Sequence, residues 1–315
     1  MVTPVWELAP ENLSHIFLLY FSGHMDWVEI KRSSLKRSIT LAQVNQHWRN
    51  IALLTPQIWT TIYIDKKAFL KMDNDLEEMC MPKVFLHWSG LCPLSLSVYS
   101  SKYNDAILAT LLPLAECWHR ITVDIPLLML SALSPIYNCL PLLRMLEIKD
   151  THVTRLRGIH LRFFSKAPLL HHLISSCQYL NSFDILPLHQ LTRWGGPIAA
   201  MDMPKMFALA PNLEECFLQP LRLIPSTTFP ENPAAHNLTS LHISTEVISS
   251  INFQLQLLPQ FPCLCHLFIY FNKQVIFSGA SILPLFVKSG GQLKYHMWGC
   301  TALVMTIIDC LKHTP

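Results

Sequence analysis

The chain has 315 residues, of which 51% are hydrophobic and 14% are charged, and its net charge is +3 at pH 7. This hydrophobic share predicts a chain that is mostly packed and excludes disorder for most of it. The small charge, without a base-reading motif, argues against a nucleic-acid-binding protein. The length allows one large or two modest domains.

The compartment is predicted from the first residues and from the cysteines. Glu7 and Glu11 interrupt the opening segment, and no basic stretch precedes a hydrophobic run, so we expect no secretory signal. Ten cysteines are scattered singly, apart from the pair Cys263 and Cys265. We therefore expect reduced thiols and a cytoplasmic and/or nuclear protein.

One segment has the length of a membrane span. Residues 125–143 carry no charge. Three prolines divide the segment, at positions 126, 135 and 141, so we expect it not to enter a membrane.

The first predicted element is an amphipathic helix that begins at Pro10, a residue tolerated in a first helical turn. Leu13, Ile16, Phe17 and Tyr20 follow at the spacing of one helix face. We expect this apolar face to pack against the rest of the chain or against a partner.

A second helix is predicted from about Thr40, a plausible N-cap, to the Thr-Pro pair that ends at Pro56. A short turn with Trp59 and a strand over residues 62–64 follow. The apolar side of this helix consists of Leu41, Val44, Trp48, Ile51 and Ala52.

Residues 6–17 and 41–64 resemble the two halves of the F-box-like domain found in mushroom-forming fungi. The match depends on Val-x-x-x-Trp-Arg-x-Ile-Ala, followed by Thr-Pro-x-x-Trp. Ala9 departs from the family, which usually has a proline there. The resemblance implies an F-box-like domain over residues 4–64 that docks on a Skp-type adaptor of an SCF-type cullin–RING ubiquitin ligase.

The resemblance also implies roles for particular residues. Pro56 and Trp59 would form the seam between the F-box and the rest of the chain. The residues that would dock on the adaptor or form the F-box core are Leu8, Pro10, Leu13, Ile16, Phe17, Leu41, Val44, Trp48, Ile51 and Ala52. Which of them face the adaptor is left open by the sequence.

After a predicted linker over residues 65–82, the pattern Leu-x-x-Leu-x-Ile recurs. Its middle positions are Ile121, Leu146, Cys216, Leu241, Leu267 and His296, and several successive intervals are 25, 25, 26 and 29 residues. These intervals suit leucine-rich repeats, each with one strand and one helix. The predicted fold class is therefore α/β: a small all-α F-box-like module, then an irregular leucine-rich-repeat-like solenoid over residues 83–315.

The short apolar runs between strands predict helices over residues 106–112, 128–133, 207–210, 255–258 and 282–287. Between residues 150 and 210, Leu170-x-x-Leu173 and Leu180-x-x-Phe183 compete for one strand. Residues 193–205 read as an exposed insertion, and residues 227–236 as a second loop. Residues 302–313 read as a helix at the end of the chain, which suggests truncation before a further repeat.

No sequence motif indicates catalysis. The chain lacks phosphate-loop, dinucleotide, nucleophile-elbow and zinc-protease patterns, and its histidines have no carboxylate or cysteine at ligand spacing. We predict a protein that is not an enzyme and binds neither cofactor nor metal.

The predicted target surface is the face of the strands opposite the core. Alternation places eight side chains there: Glu147, Lys149, Phe217, Gln219, His242, Ser244, Phe268 and Tyr270. Since aromatic residues anchor many binding surfaces, we expect an unknown protein target to bind at Phe268 and Tyr270, with His242 at the edge. The alternative is an F-box-like interaction scaffold with no role in a ubiquitin ligase.

Overall fold

A computed structural model describes residues 8–22, 33–65, 75–99, 105–149, 162–176, 186–199, 202–220, 237–245, 261–275 and 294–300. The chain divides into two compact units, the first mainly residues 1–145 and the second mainly residues 146–315. Helices and parallel strands occur in both, so the predicted α/β class is confirmed.

The first unit opens with helices and continues as a sheet. Its helices are α1 (Pro10–Ser22), α2 (Ser33–Gln43), α3 (Gln46–Leu53), α4 (Asp75–Ser89) and α5 (Asp105–Leu111), with 3-10 helices at Pro56–Trp59, Leu112–Cys117 and Leu127–Ile136. Its strands β1 (Thr61–Asp65), β2 (Leu94–Tyr99) and β3 (Trp118–Asp124) pair in parallel in chain order.

The predicted second helix is two helices, so the N-cap assigned to Thr40 is wrong. Thr40 lies inside α2, where its hydroxyl donates to the Lys36 carbonyl at 2.7 Å. The cap is Asn45, whose backbone is extended and whose side chain accepts from the Trp48 N–H at 2.8 Å. Asparagine competes well for this position because its side-chain oxygen pairs with an otherwise free N–H. Val44, at the break between the helices, is exposed.

Helix α4 occupies the last part of the predicted linker. It ends at Ser89, and Gly90 follows with φ of +57°, a left-handed conformation that glycine adopts without a steric penalty. The turn leads directly into β2, which begins at Leu94.

Alternation along the strands places the predicted apolar residues in the core. Trp118, Ile121 and Val123 of β3 are buried, as are Leu94, Leu96 and Val98 of β2. The helix predicted over residues 106–112 is α5, and that predicted over 128–133 is a 3-10 helix.

The second unit contains the middle of β4 (Met145–Lys149), then β5 (His172–Ser175), β6 (Arg193–Ile198), β7 (Glu215–Pro220), β8 (Ser240–Thr245), β9 (His266–Val275) and β10 (Lys294–Cys300). Strands β5 to β10 pair in parallel in chain order. Its helices are α6 (Met203–Leu209) and the 3-10 helices Arg162–Phe164 and Leu188–Gln190.

Residues 193–205 are not an exposed insertion. Arg193 begins β6, Trp194 is buried, and α6 begins at Met203. Gly195 and Gly196 both lie within β6, and the neighbouring strand β5 comes very close to Gly196. A Cβ atom on Gly196 would stand 2.6 Å from the Ser175 carbonyl oxygen. Glycine thus permits this strand pairing here rather than marking a loop.

The first of the two candidates near residue 170 contains a strand, since β5 begins at His172 and both Leu170 and Leu173 are buried. Predictions for residues 180–185, 227–236, 255–258, 282–287 and 302–313 lie outside the described residues. In the part of the chain that the structure describes, no helix is long and apolar enough to cross a membrane.

Candidate binding surfaces

Helix α1 has two apolar faces. Leu13 and Phe17 are completely buried, whereas Ile16, Leu19 and Tyr20 are exposed by 45%, 70% and 47%. The exposed three stand at i, i+3 and i+4, so they form one continuous stripe. The predicted single face therefore separates into a core side and a solvent side, with Ile16 and Tyr20 on the latter.

Contacts with α3 hold α1 in this orientation. The rings of Phe17 and Trp48 lie 5.2 Å apart, measured between centroids. The Thr55 hydroxyl donates to the Ile51 carbonyl at 2.8 Å and lies 3.1 Å from the Ser14 hydroxyl. These contacts fix the rotation of α1 about its axis and so keep the exposed stripe, which we call the α1 stripe, away from the core.

The predicted F-box residues separate by burial into three groups. Those buried are Leu13, Phe17, Ile51 and Ala52; those half-buried are Leu8, Leu41 and Trp48; those exposed are Pro10, Ile16 and Val44. Leu19 was missed by the sequence reasoning, although its spacing from Ile16 could have indicated the stripe.

Trp59, predicted at the seam, is a core residue of the first unit. It is completely buried, and its indole N–H donates to the Ala52 carbonyl at 2.8 Å. Its ring packs against Phe85 and Trp88 of α4, with centroids 5.0 and 4.6 Å apart. Pro56 is half-buried and opens the same 3-10 helix. The helical module and α4 therefore share one core.

In the second unit, three aromatic rings stack across neighbouring strands. Phe217, His242 and Phe268 are register partners on β7, β8 and β9. Their centroids lie 4.0 and 4.2 Å apart, with planes within 22° of parallel. The Tyr270 ring is 6.2 Å from His242 and nearly parallel to it. We call these four residues the ring ladder.

An ion pair closes one end of the ring ladder. Arg193 Nε lies 3.0 Å from a Glu215 carboxylate oxygen, and the Arg193 guanidinium lies over the Phe217 ring at 5.0 Å. His242 Nε2 lies 3.5 Å from the other Glu215 oxygen and 3.1 Å from the Ser240 hydroxyl. The Arg193–Glu215 ion pair and the stacking of the rings together fix the side-chain positions of the ring ladder.

His242 is neutral in this setting. Burial, then the charge of Arg193 and that of His266, lowers its pKa to about 4, although the Glu215 carboxylate favours the charged ring. Its Nδ1 atom is buried and has no hydrogen-bond partner among the described residues. A neutral imidazole stacks between two phenyl rings without the cost of burying a charge.

The structure brings the three predicted target-binding residues together. Tyr270 is 36% exposed, whereas Phe268 and His242 are half-buried by their stacking. Arg193 and Glu215 were missed because Arg193 was assigned to a loop.

Neither known protein families nor metal-ligand geometry assigns a further role to these surfaces. No protein-family model and no curated protein matched the chain. Within the described ranges, no group of three or more histidine, cysteine or acidic side chains is placed to hold a metal ion.

Proposed function

We propose that this protein is an F-box-type adaptor. Its helical module docks on a Skp-type adaptor of an SCF-type cullin–RING ligase, and the strand face of a leucine-rich-repeat-like domain over residues 83–315 holds a target protein. This proposal rests on the resemblance of residues 6–17 and 41–64, and it places the protein in the cytoplasm or nucleus.

The α1 stripe is the observation that carries the proposal. Leu13 and Phe17 already supply the residues that α1 buries in the core, whereas Ile16 and Leu19 keep much of their apolar surface exposed, as does Tyr20, whose ring lies 5.8 Å from the Arg37 guanidinium. An exposed apolar stripe of this kind is typical of a helix that inserts into a partner's groove. Phe17, by contrast, is buried against Trp48 of α3 and is not part of the exposed stripe.

A binding titration with a purified Skp-type adaptor tests the docking. The double variant Ile16→Ser/Leu19→Ser should weaken the complex by about tenfold or more, since apolar anchors dominate such interfaces. The matched control is Leu91→Ser, because Leu91 is 87% exposed but lies in the turn after α4. Equal affinity for the double variant and the wild type would contradict docking through the α1 stripe.

Co-purification from cells separates the ligase adaptor from the interaction scaffold. The proposed function requires both the Skp-type adaptor and a cullin in the purified complex. Recovery of other partners with neither of these would favour the scaffold.

The target surface is proposed at the ring ladder, where Tyr270 supplies the most exposed ring. The double variant Phe268→Ser/Tyr270→Ser should lose proteins that the wild type captures, as identified by mass spectrometry. Leu209→Ser, a change to a partly exposed leucine of α6, is the matched control. An unchanged set of captured proteins would place the target site elsewhere.

A further inference from the structure

Two free thiols stand where neighbouring strands of the first unit begin. Cys92 precedes β2 by two residues, and Cys117 immediately precedes β3. The first residues of these strands, Leu94 and Trp118, are register partners. Both thiols are half-buried, so small solutes have access to them.

The Cys117 side chain is directed toward the turn that carries Cys92. Its sulfur lies 3.8 Å from the Leu91 carbonyl oxygen, which belongs to the peptide group joining Leu91 to Cys92. The turn is itself fixed, because the Cys92 N–H donates to the Ser89 carbonyl at 3.1 Å. Cys92 and Cys117 lie two residues and one residue before the paired strand ends, and the spacing of about 4.8 Å between adjacent strands falls within the range of Cα separations that disulfides span.

The electrostatics agree with this proximity. The pKa of the Cys117 thiol is raised, first by burial, then by Glu116 and by Cys92. A raised pKa keeps Cys117 protonated and makes it a poor first nucleophile. Cys117 is therefore assigned to the second step of disulfide formation, in which it loses its proton and attacks an already oxidised sulfur, and the raised pKa slows this attack as well.

We propose that Cys92 and Cys117 form a reversible disulfide when the protein meets a hydroperoxide. Cys92 sulfur attacks the peroxide and becomes a sulfenic acid, with release of water or an alcohol. Cys117 sulfur then attacks the Cys92 sulfur: the S–S bond forms, the S–O bond breaks, and hydroxide leaves with the Cys117 proton as a second water. The peroxide is reduced by two electrons and the two thiols are oxidised.

The disulfide would close a loop that contains β2 and α5, which limits the unfolded chain and should raise the thermal midpoint of the first unit. This inference depends on the first unit alone and is independent of the proposed function.

The test treats the purified full chain with hydrogen peroxide and maps disulfide-linked peptides by mass spectrometry without reduction. We expect the Cys92–Cys117 peptide pair, its disappearance on addition of dithiothreitol, and a higher thermal midpoint for the oxidised protein. Cys139→Ser is the matched control, because Cys139 is equally half-buried but donates to the Tyr137 carbonyl of its own loop. That variant should form the disulfide to the same extent.

Two outcomes would overturn the proposal. One is peroxide oxidation of Cys92 to the sulfinic acid while Cys117 remains a free thiol. The other is a predominant disulfide that joins either residue to Cys139. Both can be observed in the wild-type chain, so the test does not depend on the folding of a Cys92→Ser or Cys117→Ser variant.

Discussion

Replacement of Trp59 by alanine should strongly destabilise the first unit. A buried tryptophan removes about 150–250 Å² from water, which at about 25 cal/mol per Å² corresponds to about 4–6 kcal/mol. Residual compactness of the unfolded chain lowers this to about 3–5 kcal/mol, the usual range for such truncations. The lost indole hydrogen bond adds little, because the Ala52 carbonyl also accepts from the Thr55 N–H at 3.2 Å.

Urea unfolding followed by far-ultraviolet circular dichroism measures this loss. Trp59→Phe keeps a ring against Phe85 and Trp88 and should lose about 1–2 kcal/mol. Leu54→Ala, at a highly exposed position, should change the free energy of unfolding by less than about 0.5 kcal/mol. A loss for Trp59→Ala no larger than that of Leu54→Ala would refute the shared core of the helical module and α4.

Three further predictions concern single positions. Ser38→Ala should lower the free energy of unfolding in urea by about 1 kcal/mol, because the buried Ser38 hydroxyl donates to the Ile58 carbonyl at 2.7 Å. An unchanged free energy of unfolding would mean that this hydrogen bond is not formed. Gly196→Ala should lower the free energy of unfolding by more than about 2 kcal/mol, since the new Cβ atom would meet the Ser175 carbonyl oxygen. Gly90→Ala, which has open space around it, should lower it by about 1 kcal/mol. A larger loss for Gly90→Ala than for Gly196→Ala would contradict the β5–β6 register. The pKa of His242 is about 4 in the folded protein and about 6.5 when unfolded, so its contribution to stability is complete above pH 6.5 and is lost as the pH falls toward 4. His242→Phe, which cannot titrate, should flatten the stability profile over this interval; an identical slope would show that His242 does not stack in neutral form.

Sequence periodicity predicted the strands well because each depends on a local alternation. Leu146, Leu241 and Leu267 are all buried, as the repeat pattern required. A strand with one face in the core shows this alternation whatever the rest of the chain does, and the prediction needs no knowledge of the neighbours.

The errors occurred where tertiary contacts decide the local structure. Gly195 and Gly196 suggest a loop, but both lie in β6, and the close approach of the Ser175 carbonyl makes glycine the residue that the strand requires at position 196. Similarly, the i, i+3, i+4 spacing groups Ile16 with Leu13 and Phe17. Which side of the helix faces the core depends on α3, through the Phe17–Trp48 contact.

The candidate site could be predicted only in part for the same reason. His242, Phe268 and Tyr270 follow from alternation on β8 and β9. Their stacking depends on the register between strands, which brings Phe217 opposite His242 and Glu215 beside Arg193. The register between strands depends on the length of every repeat. The repeat lengths between residues 150 and 210 could not be assigned from the sequence pattern.

The most direct test of the account is a titration of the 315-residue chain with a purified fungal Skp-type adaptor, followed by size-exclusion chromatography. The account predicts a saturable one-to-one complex that the Ile16→Ser/Leu19→Ser variant fails to form under the same conditions while the Leu91→Ser variant forms it. A folded wild-type chain that shows no binding at adaptor concentrations of about 100 µM would contradict the F-box proposal.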